Sequence, residues 1–153
     1  MQPDPLMIRQ LRADDATIVA SFVARLLSEL APGTEVESAG LLPVARTVME
    51  GGSVTGFLAS RGDMPVGLIM LNECAAVYAG GRFGEISELY VDPALRSLGV
   101  AAGLMEKAAQ HGRAKGWKRL EVGAPSQPDW ARTLQFYLKN GFAETGPRLR
   151  RLL

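Results

Sequence analysis

Cysteine, histidine and long apolar runs are scarce in this sequence. It holds one cysteine, Cys74, and one histidine, His111, so an internal disulfide is excluded and no zinc-ligand spacing is present. The net charge of +1 provides no overall field that would attract nucleic acid or an anionic membrane. No apolar run is long enough to cross a bilayer, and the N-terminus carries prolines and acids where a signal peptide needs an apolar segment. We therefore expect a cytoplasmic protein that has no metal site and binds neither nucleic acid nor membranes.

The composition is typical of one globular domain. The 153 residues are 47% hydrophobic and 22% charged, which suits a single folded unit over residues 1–153. Apolar periodicity and Gly/Pro positions predict the element order βααβββαβαββ. The predicted strands cover residues 7–11, 54–60, 65–79, 83–91, 118–124, 142–146 and 148–153. The predicted helices run from Asp14 or Asp15 to Leu30 and over residues 37–49, 98–115 and 129–140. This order favours an α/β protein with helices on both faces of a sheet.

The helix predicted from residue 98 is entered through very small residues. Gly99 and Gly103 flank a run of valine and alanine, and Arg96 stands just before them. The first amides of a helix are unpaired and lie at the positive end of its dipole, so a phosphate can bind there if the side chains are short. An alternative remains open, since small residues also allow a helix to pack closely on a sheet. The segment lacks the ending of a P-loop and the three spaced glycines of a dinucleotide fingerprint.

Two motifs of this chain resemble signatures of the GNAT superfamily of N-acetyltransferases. The sequence from Arg96 to Ala101, "RSLGVA", is similar to the family's Arg/Gln-x-x-Gly-x-Gly/Ala loop, and "ELYVDP" before it resembles the fourth strand. Downstream, "FYLKNGF" is similar to a helix that carries a tyrosine and ends in Gly-Phe. The resemblance covers nearly the whole chain. It implies a mixed, mostly antiparallel sheet of six to seven strands, flanked by about four helices, whose fourth and fifth strands splay apart.

The resemblance implies acetyl-CoA as co-substrate. The backbone of the fourth strand would pair with the pantetheine arm, and the loop amides would hold the pyrophosphate. The implied contacts are Leu89, Tyr90, Val91, Arg96, Ser97, Leu98, Gly99, Val100, Ala101 and Ala102. Many family members carry an asparagine after the fifth strand. This chain has "GAPSQPDWAR" there, and Ser126 is the residue that could make a similar contact.

The resemblance also implies which groups move protons. Tyr137 matches the family's tyrosine and would act as general acid toward the CoA sulfur. The base is one of two glutamates, Glu85 or Glu88, or a water chain, and Glu88 is preferred because it stands beside the segment expected to meet the thioester. The two glutamates are three positions apart, so a regular strand would point them to opposite faces unless a bulge intervenes.

The resemblance thus implies an acetyl-CoA-dependent N-acetyltransferase that transfers acetyl to a primary amine in a ternary complex. Two alternatives are a catalytically silent acyl-CoA-binding module of the same fold and an α/β protein that binds another phosphate. The acceptor is not encoded in a readable motif, and a small-molecule amine is favoured over a peptide. A homodimer is the expected oligomeric state.

Overall fold

A computed structural model describes residues 4–153 and arranges them around one five-stranded sheet. The strands are β1 (Leu6–Gln10), β2 (Val54–Arg61), β3 (Met64–Ala76), β4 (Gly81–Val91) and β5 (Leu120–Val122), and they lie side by side in chain order. The pairs β1–β2, β2–β3 and β3–β4 are antiparallel, whereas β5 runs parallel to β4. The predicted fold class, a mixed and mostly antiparallel sheet with flanking helices, is confirmed.

Four helices cover the two faces of this sheet. They are α1 (Ala16–Leu30), α2 (Ser38–Glu50), α3 (Val100–Lys115) and α4 (Ala131–Lys139). Alternate residues of a strand face opposite sides, so β2 sends Leu58 toward α1 and α2, and Phe57 toward α3. Tyr137 of α4 belongs to the α3-side core. None of the described helices is both long and apolar enough to cross a membrane.

The start of α1 is tied to β1 by a paired carboxylate. Asp15 is buried, and both of its oxygens accept hydrogen bonds at 2.8 Å from the Arg9 guanidinium, while the Arg12 amide donates to it at 2.7 Å. The hydrogen bond from Arg9 lowers the pKa of Asp15 despite its burial. This ion pair sets where α1 leaves the sheet, and therefore where the rest of that helix lies over β4.

Two of the predicted strands are absent, and the sheet has five strands instead of six to seven. Residues 142–146 and 148–153 form no strand in the structure. From residue 143 onward every side chain is exposed, and Leu149 and Leu152 are 90% and 81% exposed. An alternating sequence becomes a stable strand only when one of its faces can pack, and the leucines of this segment are left exposed. The alternation of arginine and leucine was therefore a misleading signal.

The β4–β5–α3 corner depends on a tryptophan wedged between two glycines. A Cβ added at Gly84 of β4 would overlap the Trp117 ring, and one added at Gly112 of α3 would lie 2.9 Å from it. The indole N–H donates to Glu73 of β3 at 2.7 Å, which fixes the ring. The close approach of Trp117 thus requires glycine at residue 84, at the beginning of the β4–β5 pairing.

We expect Gly84→Ala to lower the free energy of unfolding by about 1–3 kcal/mol, because overpacking must displace a ring held on three sides. Gly40→Ala is the matched control. No atom lies within 4 Å of a Cβ built at this exposed helical position, so the same change should raise stability by roughly 0.4–1 kcal/mol. Urea unfolding of the two variants measures both effects. Equal stability of the two variants would contradict the proposed packing role of Gly84.

Candidate active site

The central feature of the site is the point where β4 and β5 separate. The two strands pair over Gly84, Glu85 and Ile86 of β4, which face Leu120–Val122. Beyond Ile86, β3 is the only strand that pairs with β4 in the described part of the chain. The predicted splay of the fourth and fifth strands is therefore present, and residues 87–91 form an open strand edge.

The backbone groups on this open edge belong to Leu89 and Val91. The Asp92 amide donates to the Val66 carbonyl at 2.8 Å, so Asp92 lies in a hydrogen-bonded pair with β3. Antiparallel ladders alternate, which directs the backbone of Tyr90 toward β3 as well and the backbones of Leu89 and Val91 toward the gap. The Val91 carbonyl is already taken by Arg96 Nε at 3.0 Å. Leu89 and the Val91 amide are left as groups that a ligand in the gap could pair with.

A β-bulge at Ser87 decides where the two candidate bases point. Met70 of β3 pairs with Glu88, but the next residue, Leu71, pairs with Ile86, so Ser87 is an extra residue in β4. The extra residue offsets the normal alternation, so the side chains of Glu85 and Glu88 lie on the same face of the sheet. That face is the one covered by α1 and α2, because Met70, opposite Glu88, is part of the core beneath those helices.

The two glutamates have different partners. Glu85 accepts a hydrogen bond at 2.5 Å from Arg148 in the C-terminal segment, whose side chain also lies against Gly123 just after β5. Glu88 accepts a hydrogen bond from the Ser87 hydroxyl and has no cation paired with it in residues 4–153. Glu88 is thus the carboxylate that is free of a salt bridge.

The loop before α3 presents open amides. Gly99, the N-cap of α3, has φ = +88°, and Ser97 has φ = +67°. The first-turn amides of Val100, Ala101 and Ala102 have no acceptor within the helix, as in any helix. No side chain caps the helix in their place. A Cβ at Gly99 would meet no atom within 4 Å, whereas one at Gly103 would lie 3.2 Å from Ile8 of β1. Close packing therefore explains Gly103, while Gly99 is required for the turn.

Arg96 is held away from these amides. Its guanidinium makes a two-pronged ion pair with Glu29 of α1, with one contact at 2.7 Å, and its carbon lies 5.4 Å from the centre of the Tyr90 ring. The hydrogen bond lowers the pKa of Glu29. Arg96 in this conformation joins α1 to the end of β4, and its predicted contact with a cofactor stays a prediction.

Tyr137 lies in the α3-side core, with its ring 5.5 Å from that of Phe136 and 5.4 Å from that of Phe142. Burial alone raises the pKa of the phenol to about 12, because no hydrogen bond from the described residues stabilises either form. Tyr137 is therefore fully protonated at neutral pH. Ser126 is exposed in the turn after β5, and its predicted contact with a cofactor stays a prediction.

Three charged residues of this region were missed by the sequence reasoning. They are Arg25 and Glu29 on α1, and Arg148, which lies in the strand that the sequence predicts over residues 148–153. Their partners are 63 to 67 residues away in the chain, so no local pattern could have identified them.

The raised pKa of Tyr137 predicts a loss of stability at alkaline pH. Below pH 10 both states keep the phenol proton; above it the unfolded chain loses the proton while the folded chain retains it up to about pH 12. This group should lower the free energy of unfolding by about 1.4 kcal/mol between pH 9 and pH 11. Urea unfolding at both pH values should show a smaller fall for Tyr137→Phe than for wild type. Equal falls would show that the phenol is not buried.

Comparison with known proteins agrees with this geometry. Residues 23–142 match the model of the Acetyltransferase (GNAT) family. A thialysine N-epsilon-acetyltransferase from Caenorhabditis elegans is 33% identical over 76 residues, which are 50% of this chain and 47% of that protein, so the chain spans about half the length of this curated relative.

Solved structures share the fold over almost the whole chain. A ribosomal-protein-alanine N-acetyltransferase from Brucella melitensis biovar Abortus 2308 is 21% identical with a TM-score of 0.76, covering 97% of this chain and 99% of that one. A predicted acetyltransferase from Clostridium acetobutylicum, solved with acetyl-CoA, is 16% identical with a TM-score of 0.77, covering 97% and 96%. The family match extends over most of the chain and includes both motifs and the splayed strands. This chain belongs to the GNAT family of acetyltransferases.

Proposed function

We propose that this protein transfers the acetyl group of acetyl-CoA to a primary amine by direct attack in a ternary complex. The observation that carries the proposal is the open edge of β4, which lies between the uncapped start of α3 and the core that contains Tyr137. Unpaired backbone groups on a strand and at a helix N-terminus together suit an amide-rich arm that ends in a pyrophosphate.

The residues present fit such a ligand. The backbone of Leu89 and the Val91 amide would pair with the pantetheine arm, and the amides from Leu98 to Ala102 would hold the pyrophosphate. The open space at Gly99 lets an anion approach the loop. When bound, acetyl-CoA supplies an acetyl group activated as a thioester.

Glu88 is the residue we propose as general base. An amine with a lysine-like pKa of about 10.4 is almost entirely protonated at neutral pH, so a group of the protein must accept a proton before attack. Glu88 lies on the α1–α2 face beside the gap and forms no salt bridge with the described residues. Glu85 faces the same way but is paired with Arg148, which makes it a weaker candidate.

Tyr137 is the residue we propose as general acid. It lies on the α3 side of β4, opposite the glutamates, and its hydroxyl is protonated at neutral pH. A proton is accepted on one side of the strand and delivered to the departing sulfur from the other side.

The relatives support a primary amine as acceptor. One similar protein is a thialysine N-epsilon-acetyltransferase, another is a ribosomal-protein-alanine N-acetyltransferase, and a third was solved with acetyl-CoA. We propose a small-molecule or peptide amine for this chain on that basis. A cytoplasmic location and a homodimer remain predictions from the sequence.

The loop before α3 can be tested with an isosteric pair. Asp and Asn both tolerate the left-handed backbone that Gly99 adopts, and they differ in charge. We expect Gly99→Asp to weaken acetyl-CoA binding at least tenfold relative to Gly99→Asn, because a carboxylate would face the pyrophosphate. Calorimetric titration with acetyl-CoA measures the difference. Equal affinities would show that the pyrophosphate does not lie at this loop.

The proton-transfer roles can be tested by release of the CoA thiol with an amine panel. Tyr137→Phe and Glu88→Gln should each lower kcat by roughly 10²-fold or more, which is the usual contribution of a positioned acid or base. The kcat of Glu88→Gln should recover as pH rises toward the pKa of the amine. Glu85→Gln should lower kcat by a smaller factor than Glu88→Gln. A larger loss in Glu85→Gln would reverse the assignment of the base. Binding of acetyl-CoA without turnover of any amine would instead indicate a catalytically silent module.

A further inference from the structure

An open cavity of about 400 Å³ lies between the second half of α1, the start of α2 and the end of β4. No role has been assigned to it above. Its wall is about equally polar and apolar and carries one charged side chain, that of Arg25. The lining includes Ser21, Arg25 and Ser28 of α1, Val36 and Ser38 at the start of α2, and Tyr90 of β4.

The guanidinium of Arg25 packs on two aromatic rings and makes no hydrogen bond with residues 4–153. Its carbon lies 5.1 Å from the centre of the Phe22 ring and 5.6 Å from that of Tyr90, so two aromatic faces hold it. Its contact with Asp92, at 3.6 Å, is longer than a hydrogen bond. Arg96 differs, because its guanidinium is committed to Glu29 and to the Val91 carbonyl. Arg25 thus offers a positioned fork of donors, which is the geometry that binds a carboxylate with two parallel hydrogen bonds.

The cavity is next to the proposed base. Tyr90 and Glu88 are two residues apart on the same face of β4, which separates them by about 7 Å along the strand. An acceptor whose carboxylate lies on Arg25 could therefore reach Glu88 only if several bonds separate its carboxylate from its amine. An α-amine, directly beside its own carboxylate, is too short to span this distance.

We propose that Arg25 binds a carboxylate of the acceptor, and that the acceptor is a small acid whose reacting amine stands at the far end of its side chain. This inference rests on the proposed function, since it names the substrate class of that active site. Ser21 and Ser38 supply further hydroxyl groups in the same wall, and Arg25 is the residue that determines specificity.

Matched pairs of amines test the proposal. Lysine and cadaverine, and likewise ornithine and putrescine, differ by one carboxylate at constant chain length. Wild type should show a kcat/KM at least tenfold higher for the acid of one pair. Arg25→Gln should lower the kcat/KM for that acid by about 10- to 100-fold, mainly through KM, with the diamine changed by less than about threefold. Arg25→Lys keeps the positive charge but lacks the two parallel donors, so its kcat/KM for the acid should lie between those of wild type and Arg25→Gln. Arg46→Gln, an exposed change on α2, is the control and should alter neither substrate.

The proposal is overturned if wild type has the same kcat/KM for the diamines as for the acids. It is also overturned if Arg25→Gln lowers the kcat/KM of both members of a pair by the same factor. If no amine is acetylated, the proposed function fails separately, and the cavity is tested by calorimetric binding of lysine to the CoA-saturated protein. Binding by wild type that is lost in Arg25→Gln would support the carboxylate site. Absence of binding, or equal binding by both proteins, would overturn it.

Discussion

Strand β4 has a hydrogen-bonding strand on each side only as far as Ile86, and the arrangement of the site depends on that limit. Backbone N–H and C=O groups in a sheet need partners, and β5 stops supplying them after three residues. The open edge beyond Ile86 lies beside the uncapped start of α3. A ligand with amides and phosphates would satisfy both sets of groups at once, and this is the physical basis of the proposed acetyl-CoA site.

The bulge at Ser87 acts on the same strand and settles a different question. One extra residue brings Glu85 and Glu88 to one face, under α1 and α2, and leaves Ile86 and Leu89 on the face of α3. Acidic groups and the buried phenol of Tyr137 are thereby placed on opposite sides of β4. Without the bulge, one glutamate would point into the apolar core beneath α3, where an unpaired carboxylate is costly.

Three arginines complete the region, and each has a different role because its neighbours differ. Arg96 is committed to Glu29 and the end of β4, and Arg148 neutralises Glu85. Arg25 rests on two aromatic rings at 3.6 Å from Asp92, without a hydrogen bond to the described residues. Guanidinium groups are chemically identical, so only their contacts distinguish a structural tie from a binding group.

The sequence by itself determined the four helices to within about two residues, because periodicity and glycine stops are local signals. The splayed strands followed from the resemblance of the motifs at Gly99 and Tyr137 to those of the GNAT family. It misplaced two C-terminal strands, since their alternation is also local but no surface packs against them. Only the tertiary structure decided the phase of Glu85 and Glu88, the partners of the three arginines and the cavity beside Tyr90. These features depend on cross-strand register and on contacts between residues more than sixty positions apart, which no local pattern encodes.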